Sequence, residues 1–74
     1  MVGASRKATA AAVPALVKLL ADPSASVRKK AAWALGEIGA PAAVAGPALQ
    51  RTAHEDRDPL VRSLASAASS RLTR

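Results

Sequence analysis

Two stretches of this chain carry one helical pattern 34 residues apart, and a repeat of that length admits few folds. In the first, Ser24 stands where a helix N-cap belongs, because its hydroxyl can accept from an orphan backbone N–H. Val27, Ala31, Ala34, Leu35 and Ile38 follow at steps of four, three, one and three, so they line one side of a helix. Gly39 is placed to end that helix in a left-handed conformation, with Pro41 shortly after. In the second stretch Asp58 replaces Ser24, and Pro59 takes the first helical position, where a missing N–H costs nothing. Its stripe is Val61, Leu64, Ala65, Ala68 and Leu72. Asp22 also maps to Asp56, and Val27-Arg28 to Val61-Arg62.

A different helix precedes each of these. Thr9 can cap one that carries Val13, Leu16, Val17 and Leu20. Its counterpart is predicted over about 42–53, with Val44, Ala48, Leu49 and Ala53 inward. The offset here drifts from 31 (Val13 to Val44) to 33 (Pro14-Ala15-Leu16 to Pro47-Ala48-Leu49), which suggests a small insertion near Gly46-Pro47. Pro47 is expected to kink or restart that helix. The predicted fold is all-α, an α-solenoid of about two antiparallel helix hairpins. The expected divisions are a flexible segment at 1–8, a first helix pair at 9–39, and a second, capping pair at 40–74.

Composition agrees with close helix packing. Alanine fills 20 of 74 positions, and it is the best helix former and depleted in strands. With no Phe, no Tyr and one Trp, the core is Leu, Val, Ile and many small Ala contacts. The absence of Cys excludes disulfides and thiolate metal sites. No apolar run reaches the roughly 20 residues that span a bilayer. Arg6 and Lys7 ahead of an acid-free, Ala-rich stretch have a faint likeness to a targeting peptide. Lys18 and the helical spacing of the apolar residues assign that stretch to the fold, and a cytoplasmic location is expected.

The string DPSASVRKKAAWALGEIG, from Asp22 to Gly39, resembles the HEAT-like repeat of the phycobilisome-lyase type. So does the AVPAL run at Ala12–Leu16, a usual start for the partner helix. The likeness is strong over 12–39 and partial over 40–72, where Ser66 and Ser69 replace an Ala and a Leu of the pattern. That departure suits a terminal repeat whose outer side faces water. The resemblance implies a right-handed stack, with the Val-Arg helices convex and the AVPAL-type helices concave, the usual binding side. It also implies that Asp22, Arg28, Asp56 and Arg62 pair between repeats as structural residues. Arg suits that role, because its planar fork meets a carboxylate bidentately.

The remaining candidates concern binding. Arg28-Lys29-Lys30 is the densest charge run, and with a net charge of +6 it raises contact with nucleic acid or another acidic partner. Two lysines without interleaved aromatics make a weak nucleic-acid site. Trp33 falls on the flank of its helix, where it either covers a neighbour or anchors a partner. On the concave side Lys18, Gln50, Arg51 and Ala15 are expected to face outward. His54-Glu55 sits at the end of a helix rather than in the His-Glu placement of the di-iron HEAT-like hydroxylases. A lone His cannot build such a centre. No catalytic constellation appears, and no metal or cofactor site.

The expected function is therefore a protein–protein interaction scaffold or subunit, not an enzyme. Nucleic-acid binding and an accessory role in a bilin lyase-like protein stand as alternatives. Solenoids need about three repeats for stability, and this stack has two. Its amino-terminal side is expected to lie open, leaving Val13, Leu16 and Leu20 partly uncovered until a protein partner or a second copy covers them.

Overall fold

The computed structural model describes residues 12–73. The segment 1–8 and the Thr9 cap lie outside the described residues. Helix α1 occupies 12–19, α2 Ala25–Glu37, α3 Ala42–Glu55 and α4 Pro59–Leu72. The connections are short, so successive helices fold back on each other as hairpins. Helix α4 packs on both α2 and α3, and side chains of α1 face α3. The result is an all-α helical repeat in two layers, α1 with α3 and α2 with α4.

Each helix boundary has a local cause. The Ser24 hydroxyl accepts from Val27 N, and Asp58 Oδ1 accepts from Leu60 N and Val61 N. Helix α2 stops at Gly39, whose φ of +66° lies in the left-handed region open to glycine. There Ala40 N donates to Leu35 O and Gly39 N to Gly36 O, the paired bonds of a Schellman motif.

The core cluster gathers Val13, Leu20, Ala31, Leu35, Leu49, Ala65 and Ala68, with Leu16, Val17, Ala48, Ala53, Leu64 and Leu72 packed against it. Four expectations are corrected. Val44 is 54% exposed, and Ala45 and Gly46 are buried instead. Ala45 precedes Leu49 by four residues and shares its side of the helix, whereas Val44 is five residues away and turns outward. The true counterpart of Val13 is therefore Gly46, at the same offset of 33 that relates Leu16 to Leu49.

The second correction concerns Pro47. Helix α3 runs unbroken through it. The residue before a proline normally resists helical angles because its Cβ meets the proline ring, and Gly46 has no Cβ. The drift between offsets 33 and 34 arises elsewhere. Leu20, Ala21 and Asp22 donate to Val17, Lys18 and Leu19, three residues back, whereas Asp56 donates four residues back to Thr52. The tighter 3₁₀ ending after α1 advances the chain with fewer residues per turn than the α-helical end of α3.

The third and fourth corrections concern the open side. Val13 and Leu20 are buried at 4% and 7% exposure, because α1 turns them into the shared cluster. On the amino-terminal side of the described stack, uncovered apolar surface lies on α2. Ile38 is 36% exposed, and Val27 and Ala34 are only half-buried.

Candidate functional site

The densest polar geometry lies where the turn before α2 meets the turn before α4. Arg28 is buried, and its guanidinium reaches two turns. Nε donates to Asp56 Oδ2 at 2.8 Å and Nη2 to Asp56 Oδ1 at 3.2 Å. Nη1 donates to the carbonyls of Asp22 at 2.8 Å and Pro23 at 3.0 Å. The side chains of Arg28 and Asp56 retain 9% and 7% of their exposure, so this is a buried, charge-assisted pair. Asp56 Oδ1 also accepts from Asp58 N at 2.9 Å, which orients the carboxylate. Burial alone would raise the Asp56 pKa. The Arg28 hydrogen bond, the Asp58 N–H and the charges of Arg28 and Arg57 outweigh it and hold the carboxyl below its ordinary value.

One unit further on, Arg62 Nη1 donates to Asp56 O at 2.7 Å, as Arg28 does to Asp22 O. Asp22 Oδ1 accepts from Ser24 N at 2.9 Å, as Asp56 does from Asp58 N. Of the four residues, only Arg28 and Asp56 meet by side chains among the described residues.

The candidate contact residues fall on two layers and are not brought together. Arg51 lines a groove of about 190 Å³ with Val17, Leu20 and Ala21 from the α1 side and Ala48 and Thr52 from α3. Lys18, next to Val17, is exposed, as are Ala15 and Gln50. In the other layer Trp33 is 55% exposed. It borders a notch of about 40 Å³ formed by Gly36, Leu64, Ala67, Ala68 and Arg71. Lys30 is exposed and Lys29 half-buried, while Arg28 is committed to Asp56, so the charge run divides. His54 and Glu55 are exposed in the last turn of α3.

Two features escaped sequence reasoning. Thr52 is a buried polar residue in the groove wall, and its hydroxyl donates to Ala48 O at 2.9 Å. Its position three residues after Leu49 could have signalled that burial. The second is the close approach of α2 to α4. A Cβ on Gly36 would lie 3.0 Å from Ala68 Cβ. A glycine in the last turn of α2, ahead of the Gly39 stop, was the available sign.

Among the described residues no helix is long and apolar enough to cross a membrane. HEAT repeats generally mediate protein–protein interaction and are generally non-enzymatic scaffolds. No curated protein and no solved structure gives a match to this sequence. A family model described as HEAT repeats matches residues 2–70. The chain belongs to the HEAT-repeat family.

Proposed function

We propose that the chain is an interaction scaffold that binds a protein partner in the groove between α1 and α3. The observation that carries this reading is the groove's make-up. Val17, Leu20 and Ala48 supply an apolar floor, and exposed Arg51 supplies a cationic rim, with Lys18 and Gln50 on the same layer. Such a surface fits a segment of alternating apolar and acidic residues, where buried apolar area gives affinity and the rim charge gives register. Trp33 serves as a second anchor on the other layer, because large amphipathic side chains dominate binding when a partner covers them.

The alternatives have less support. Nucleic-acid binding loses its central residue, since Arg28 is buried against Asp56. A bilin lyase-like accessory role needs a cavity in the range of about 300–1,000 Å³ that encloses a ligand. The α1/α3 groove is smaller, and the concavity of about 370 Å³ at Pro23, Arg28 and Arg57 is wide open to solvent and encloses nothing.

Affinity capture from the source cell with the wild type, Arg51→Glu and Trp33→Ala tests the reading. A partner held by the wild type and lost with Arg51→Glu is the expected result. A partner held equally by all three proteins would remove the groove from consideration. Capture of nucleic acid with a steep salt dependence would favour the basic surface instead.

A further inference from the structure

The Arg28–Asp56 junction is present once in full and twice in halves. In the full junction Arg28 is steadied by the carbonyl of its own turn at Asp22, and its free fork closes on the carboxylate one unit ahead. Arg62 is steadied in the same way by Asp56 O at 2.7 Å. Among the described residues its Nε and Nη2 donate to nothing. Asp22 is held by Ser24 N as Asp56 is held by Asp58 N, and no cation reaches it among the described residues. The two outer faces of the described stack thus carry opposite, pre-oriented halves of one ion pair.

The apolar surfaces match this polarity. Val27 and Ala34 are half-buried, while Val61 and Ala68, their counterparts 34 residues on, are 0% and 3% exposed. The difference is what one more helix layer would cover. On the opposite face, Ser66 and Ser70 are exposed where their counterparts Ala32 and Gly36 are buried against α4. Small side chains there leave room for a helix to approach as closely as α2 and α4 do.

We propose that a second copy of the chain docks head to tail, with its Arg62 closing on Asp22 of the first as Arg28 closes on Asp56 within one chain. The contact is heterologous, so it leaves one face of each kind free and extends into strings rather than closing as a dimer. It does not involve Arg51 of the α1/α3 groove, although Trp33 borders the side of α2 that it covers, so the Asp22 and Arg62 variants and Arg51→Glu separate it from the partner reading. The hydroxyl-rich face of α4 and the net charge of +6 make the association weak and concentration-dependent.

Sedimentation velocity over a concentration series at physiological salt, where repulsion is screened beyond about 8 Å, tests the proposal. The wild type is expected to sediment faster as concentration rises. Asp22→Arg and Arg62→Glu should each shift that rise to at least about tenfold higher concentration. Mixing the two variants should restore it, because each junction between unlike variants again pairs opposite charges. Asp22→Asn keeps an oxygen for Ser24 N and guards against a folding defect, and circular dichroism checks each variant. A wild type that stays monomeric throughout overturns the proposal. So does association that Asp22→Asn and Arg62→Glu both leave unchanged, which would point to a different contact.

Discussion

Val27 and Val61 hold the same place in α2 and α4, yet Val27 is half-buried and Val61 has no exposed surface. On the other side of the same helices the order reverses. Ala32 is fully buried in α2, and its counterpart Ser66 is exposed in α4. Gly36 is buried against Ala68, and its counterpart Ser70 is exposed. One pattern therefore has two outcomes, decided by which side of the helix has a neighbour. In a stack, burial at a position belongs to the interface between units more than to the unit itself.

The largest test of this contrast is at the arginines. Arg28→Ala leaves the Asp56 carboxylate buried without its cation and is expected to cost about 3–5 kcal/mol, while Arg62→Ala costs under about 1 kcal/mol. Urea denaturation of both variants reads the difference, and equal losses would break the comparison. The same junction sets the response to acid. The folded Asp56 pKa lies below its ordinary 3.8, so its contribution is complete above that value and is lost as pH falls through the lowered one. The urea midpoint is expected to drop on acidification below about pH 4, and to drop less in Asp56→Asn.

A smaller effect is expected at the valines. Val61→Ala should cost about 2 kcal/mol and Val27→Ala under about 1 kcal/mol, judged by thermal melts of matched samples. If the head-to-tail contact forms, high protein concentration narrows that gap, because a second copy then covers Val27. The smallest effect is at the close approach. Gly36→Ala forces α2 away from Ala68 and should lose about 1 kcal/mol despite a better helix propensity. Ser70→Ala should stay within about 0.5 kcal/mol of the wild type. A Gly36→Ala protein as stable as the parent would show that the helices can separate freely.

The caps at Ser24 and Asp58, the Gly39 stop and the 34-residue register were legible in the sequence, because each rests on local chemistry. The misplacement of Val44 came from aligning one valine with another. The Leu16–Leu49 pair, which carries more buried volume, sets the register two residues away. Pro47 looked like a break because proline rules were applied without the glycine before it. The open side was expected at Val13 and Leu20 and lies instead at Val27 and Ile38. That choice depends on how α1 rotates toward α3, which no short-range signal encodes. Of the candidate contact residues, exposure at Lys18, Gln50 and Arg51 followed from helical period. The groove beside Arg51 did not, since it needs two helices distant in sequence.

The Arg28 guanidinium binds one turn by its carbonyls and another by its carboxylate, 28 residues away. Neither hairpin can let go of it alone. If α3 and α4 melted first, Arg28 would lose Asp56. If α1 and α2 melted first, Asp56 would exchange a charge-assisted bond from Arg28 for water. The pair adds to the interface between the hairpins, so they are expected to unfold in one concerted step, with a single urea transition and a slope proportional to the whole surface, instead of fraying one repeat at a time.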